Sequence, residues 1–173
     1  MRADARDART AAMVPGMHRL SEEDTMTTRS GPFWDSVEGR APLPRAAATL
    51  GLQIVGVDPE RGTIEVAFRA GEAFTNPSGN VLGAFLAAML YDTVGPALLA
   101  TLAPDCFQST LELHVTFLRP TRPGLVFGHG RVVHRVGDVA FLEASLTDAG
   151  GMTLATATAT ARVIPLAIAA SAA

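Results

Sequence analysis

A chain of 173 residues, 48% hydrophobic and 18% charged, is long enough for one domain with a substantial core and too apolar for a disordered chain. A net charge of −3 excludes the basic footprint that nucleic-acid binding requires. The single cysteine, Cys106, excludes an internal disulfide, and His18, His114, His129 and His134 are scattered without zinc spacing, so neither a metal nor a cofactor is expected.

Residues 1–31 mix both charge signs and lack the apolar stretch of a secretory signal. They read as a poorly ordered tail on a cytoplasmic protein. Pro32 to Leu50 reads as a short helical lead-in, with Phe33 and Trp34 as anchors and a break at Pro42 and Pro44. Gly51 to Val57 is apolar and β-branched enough for a strand. Asp58-Pro59-Glu60-Arg61-Gly62 is a turn, and Thr63 to Arg69 alternates, with Ile64, Val66 and Phe68 on one face. These two strands predict a hairpin.

A loop over 70–80 leads into a long apolar helix from about Val81 to Leu102, kinked or restarted at Pro96. A helix apolar on nearly every side belongs in a core. Its length approaches a membrane span, but Asp92 near its middle, Gly95-Pro96 beyond it and amphipathic strands elsewhere favour a buried central helix and no membrane. Leu111, Leu113, Val115 and Phe117 then alternate as a strand, closed by Arg119 to Gly124. Leu125 to Val136 and Val139 to Thr147 are two more, split at Gly137-Asp138. Asp148 to Gly151 is a hairpin turn, Met152 to Ile164 is a final strand, and 166–173 is an Ala-rich frayed tail. One antiparallel sheet and one helix needing cover make an α+β domain over 32–165, its curved sheet wrapped around the helix.

The segment Asn76 to Ala97, NPSGNVLGAFLAAMLYDTVGPA, carries the functional reading. Its helix start presents free backbone amides to an oxyanion or a thioester carbonyl, and Tyr91-Asp92 places polar groups inside an apolar run. With Thr110 to Leu113 (TLEL), Phe117 to Pro120 (FLRP) and the Gly150 turn into Ala155, this segment resembles the hotdog fold. The likeness is to the 4-hydroxybenzoyl-CoA thioesterase superfamily and its phenylacetate-pathway, PaaI-like branch. The resemblance implies hydrolysis of an acyl-CoA or acyl-carrier thioester, with a helix-start amide polarising the carbonyl and a helix carboxylate acting on water. It also implies a homodimer or homotetramer with active sites between subunits.

The family pattern runs Asn-x-x-Gly, then His or Gln, then Gly-Gly, then a helix carrying Asp or Glu. Here Asn76 and Gly79 fit, but the His/Gln position is Leu82 and the second glycine is Ala84. Counted from Leu82, the carboxylate position is Tyr91; with the helix shifted by one residue, Gly83 takes the His position and Asp92 the carboxylate position. Neighbouring helical residues point about 100° apart, so a regular helix is expected to turn one of the two, not both, into a given pocket, unless a local bulge intervenes or the pocket is wide enough for both.

Each candidate has a plainer counterpart. Asp92 is a catalytic base or a structural pairing group; Tyr91 is a proton donor or orienting hydroxyl, or a core aromatic. Asn76 holds water or a carbonyl, or merely makes an Asx turn. Gly83 supplies the oxyanion amide, or simply allows close packing. Thr110 sits where relatives carry a site hydroxyl, although a strand threonine is ordinary. Leu82, Ala84, Phe85, Met89 and Phe117 are candidate substrate-lining residues, and Arg119, Arg122 and Arg135 are candidate partners for CoA phosphates or ordinary solvated charges. Two rivals to a thioesterase remain: a hotdog enzyme using Tyr91 for cyclisation, elimination or isomerisation, and a non-catalytic acyl-binding module.

Overall fold

The structure, a computed structural model, describes residues 29–171; the expected tail falls almost entirely outside the described residues. Two short helices, α1 (Pro32–Val37) and α2 (Arg45–Thr49), precede the hairpin of β1 (Gln53–Asp58) and β2 (Thr63–Ala70). The central helix α3 (Gly83–Leu99) follows, and then β3 (Cys106–Phe117), β4 (Gly124–Val136), β5 (Val139–Thr147) and β6 (Thr153–Pro165). The strands form one six-stranded sheet in the order β1-β2-β4-β5-β6-β3, and every pairing is antiparallel. Among the described residues no helix is long and apolar enough to cross a membrane.

The sheet bends around α3, which touches every strand from β2 to β6. Extra residues in β1, β3, β4 and β6 supply local bends. Ile64, Val66 and Phe68 are sealed against the helix, as their alternation requires. Two glycines on β4 let the helix come close: a Cβ on Gly128 would lie 2.7 Å from the Thr93 hydroxyl, and one on Gly130 would lie 2.8 Å from the Thr93 carbonyl.

Three expectations change. Of the two outcomes expected at Pro96, a kink or a restart, the restart is overturned, because Pro96 lies inside one continuous element. A proline there has no amide to offer the carbonyl one turn back, that of Asp92. The alternation of β3 fails at Leu111, because the register shifts between Thr110 and Glu112. Thr110 pairs with buried Ala161 and Leu113 with buried Ala159, so Leu111 is the inserted residue and stands exposed. Leu166–Ser171, expected as a frayed tail, forms a short helix α4 whose Leu166 amide donates to the Asp105 carbonyl at 2.8 Å. Its run of alanine and leucine suits a helix.

Candidate active site

Seventeen residues of α3 carry two separate groups of candidate residues. The first surrounds the helix start. Leu82 is the N-cap, and no side chain caps the helix there, so the amides of Gly83 and Ala84 have no intrahelical carbonyl to meet. Gly83 lies under the Phe117 ring, where a Cβ would come within 3.1 Å of it. Leu82 and Phe117 are both exposed. The preceding loop is held rigidly. The Asn76 side-chain oxygen accepts from the Ser78 amide at 3.0 Å and the Asn80 amide at 3.2 Å, and Gly79 turns the chain at φ 71. Asn76 is therefore an Asx-turn residue whose acceptor is already used.

The second group lies midway along the helix. Tyr91, Asp92, Gly95, Pro96 and Leu99 form one wall of a cavity of about 290 Å³ between α3, the α1–α2 segment and the start of β3. Both polar residues line it. The helix is continuous, and the cavity is broad enough to meet two side chains about 100° apart, the arrangement expected of a wide pocket. Tyr91 is 45% exposed and Asp92 is half-buried. One Asp92 carboxyl oxygen, Oδ2, is buried with no hydrogen-bond partner among the described residues. Desolvation raises this carboxyl above its ordinary range.

Gln108 is the site residue that sequence reasoning missed. It is a buried polar side chain on β3 and lines the same cavity. The Thr110 hydroxyl donates to its Oε1 at 3.1 Å, while its Nε2 would come within 2.7 Å of a Cβ on Gly95. Thr110 thus acts on the cavity wall through Gln108. The available signal was period: Gln108 precedes Thr110 by two on the inward face of a strand, where an amide needs a reason.

Other candidates fall elsewhere. Met89 is fully buried in the core and is not among the residues lining the cavity beside Asp92. Phe85 stacks on Phe74 at 4.2 Å. The arginines are engaged by backbone carbonyls: Arg119 by Thr153, Arg122 by Ser78 and Gly79, and Arg135 by Gly137. Of the three, Arg122 braces the loop before the Gly83 amide.

A sheet wrapped around one central helix, with amides bare at the helix start and a carboxyl on its flank, defines a hotdog-fold protein of the thioesterase type. The family model described as the thioesterase superfamily matches residues 78–155. A crystal structure from Ralstonia eutropha JMP134, described as a thioesterase candidate related to phenylacetic acid degradation, superposes with a TM-score of 0.73 at 41% identity, covering 75% of this chain and 98% of that one. The E. coli PaaI protein of the phenylacetic acid degradation operon gives a TM-score of 0.68 at 16% identity, covering 76% and 93%. A Haemophilus influenzae thioesterase gives 0.68 at 17% identity, covering 80% and 94%; these last two speak to the fold alone. No significant match is found among curated proteins. The chain belongs to the thioesterase superfamily, in the neighbourhood of the phenylacetate-degradation proteins.

Proposed function

We propose that this protein hydrolyses acyl-CoA or acyl-carrier thioesters, with Asp92 as general base, at a site completed by a second copy of the chain. The observation that carries this reading is the unpartnered, desolvated Asp92 oxygen on the wall of an apolar cavity. A carboxyl raised towards neutrality is a stronger base than an ordinary one. It takes a proton from water as the water oxygen bonds to the thioester carbon. The carbonyl oxygen becomes an oxyanion that the helix-start amides stabilise. The tetrahedral adduct then collapses, the carbon–sulfur bond breaks, and Asp92 returns the proton to the departing thiolate.

Gly83 and Asp92 of one chain cannot share this task. Nine residues along a helix separate them by roughly 13.5 Å, whereas both must approach the reacting carbon and its oxygen within hydrogen-bond reach. Gly83 of the partner subunit, on a helix running the other way, supplies the missing amide. The twelve-residue β3 strand supports such pairing. It is an edge of the sheet, and it exposes Phe107, Leu111 and Phe117, the kind of edge that proteins cover. Arg122 beside the loop is the candidate for the CoA phosphates.

A second reading keeps one specific support. The family's carboxylate position holds Tyr91, exposed at the cavity, which suits non-hydrolytic proton transfer. The experiment is a thioester panel of CoA and carrier substrates, assayed for thiol release with the natural chain and with Asp92→Asn. Release that disappears in the variant is the expected result; no release from any substrate by the natural chain overturns the hydrolytic reading.

A further inference from the structure

The cavity beside Asp92 is walled mainly by apolar side chains, Phe33, Trp34, Leu43, Leu52, Ile54 and Leu99 among them. Among the described residues, no Lys, Arg or His contributes to that wall, and Asp92 is its only carboxyl. Part of the wall is a lid-like piece of chain. Phe33 and Trp34 sit edge to face, 5.3 Å apart at 76°, on α1, a helix with no fully buried residue. This helix is entered through Gly31 at φ 107, where a Cβ would lie 3.2 Å from Pro104. The Arg29 guanidinium lies 4.6 Å from the Trp34 ring centroid, and Arg40 pairs with Asp35 at 2.7 Å and with Glu38. These contacts hold α1 over the cavity without filling it.

Size and charge together select an occupant. The space of about 290 Å³ is near twice the ~150 Å³ in which an engineered apolar cavity encloses one benzene. A single phenyl ring leaves half of it empty and loses the contacts that the remaining wall would give. By the same scale it accommodates roughly eight to twelve carbons. A second negative charge placed inside would be desolvated beside Asp92, with no cation in the wall this chain supplies to offset it.

We propose that this cavity seats the acyl group and selects neutral, apolar, medium-length acyl chains over both single-ring aryl groups and chains ending in a carboxylate. This rests on the thioesterase reading for its substrate, but its test does not need turnover. Trp34 is the only tryptophan and stands in the cavity wall, so its fluorescence reports occupancy directly.

The experiment titrates the full chain with non-hydrolysable S-alkyl-CoA thioethers: butyl, benzyl, octyl and ω-carboxyheptyl. Octyl-CoA gives a saturable change and binds at least about tenfold more tightly than butyl- or benzyl-CoA, as the additional buried methylenes require. The ω-carboxyheptyl compound binds at least about tenfold more weakly than octyl. Phe33→Ala, checked for folding by thermal melting, moves the optimum to a longer chain. Benzyl equal to or tighter than octyl, carboxyheptyl equal to octyl, or no Trp34 response to any thioether overturns the proposal. The expected order of binding in a protein that releases no thiol keeps the cavity assignment and sinks hydrolysis. Hydrolysis with a preference for single-ring aryl thioesters does the reverse.

Discussion

On the side of α3 that meets the sheet, Met89, Leu90, Thr93, Val94, Ala97 and Leu98 are sealed completely, and the Thr93 hydroxyl donates back to the Met89 carbonyl at 2.7 Å. On the side that meets the cavity, Tyr91, Asp92, Gly95, Pro96 and Leu99 follow one another, and a carboxyl oxygen is left without a partner among the described residues. Both sides belong to one helix with one set of backbone bonds, so propensity does not distinguish them. What each side faces does. Polar groups are satisfied where the helix must be held, and one is left wanting where a ligand would arrive. The cost of that oxygen is borne by the whole fold, and under the proposed function its benefit comes only with substrate bound.

The sharpest way to break this contrast is Asp92→Asn. As general base, Asp92 is worth about 10²–10⁴-fold in kcat/KM, and steady-state thiol release measures the loss. The same change is expected to make the protein more stable. Burial raises the folded-state pKa, so between the unfolded and folded values the folded chain holds more protons. Stability therefore falls as pH rises through that window and stays lowered above it. An uncharged amide removes the penalty at neutral pH. Thermal melting should show Tm moving upward, each 1 kcal/mol being about 2–4 °C for a chain of this size. The activity of the natural chain rises with pH through the same ionisation, above the limb an ordinary carboxylate would give. A variant that loses both activity and stability would place Asp92 among the structural groups, on a par with Thr93.

The sheet side is tested by Gly130→Ala. The added methyl would meet the Thr93 carbonyl at 2.8 Å and its methyl at 3.0 Å, and neither can withdraw from a sealed interface. Overpacking of this kind costs about 1–3 kcal/mol, or roughly 2–12 °C in Tm, read by thermal denaturation. Activity per folded molecule should change far less than in Asp92→Asn. An unchanged Tm would mean that helix and sheet are less closely fitted than these distances require.

The same division explains how far the sequence could be read. Elements with a clear period were legible: the β1–β2 hairpin from Ile64, Val66 and Phe68, the long helix from its apolar run, and the two turns at Gly137 and Gly150. The helix start was legible because Asn76 and Gly79 each answer a local backbone need. Features decided by tertiary approach were not. Nothing local reveals that Leu111 is the inserted residue of β3, since the shift depends on pairing with β6. Nothing local separates Met89 from Tyr91, because an apolar helix has no contrast between its faces. Phe33 and Trp34 were legible as anchors, but their place opposite Asp92 depends on α1 folding back over a helix some sixty positions later in the chain.

The finest discrimination lies within the cavity side itself, between two neighbours on α3. Tyr91 is 45% exposed, so water can serve its hydroxyl, and replacing it with phenylalanine should leave stability within about 0.5 kcal/mol of the natural chain. With Asp92 as base, the hydroxyl does no more than help orient water or the acyl carbonyl, a hydrogen bond worth about 1 kcal/mol. Tyr91→Phe should then lower kcat/KM about threefold to tenfold and leave the acidic limb of the pH profile in place, because that limb belongs to the carboxyl. If instead Tyr91 transfers the proton in a non-hydrolytic reaction, the loss grows to about 10²–10⁴-fold. Asp92→Asn would then be the mild variant of the pair. Kinetics of both variants on one substrate, with product identity checked by mass, read the order of the two effects. That order decides which side chain the cavity was built around.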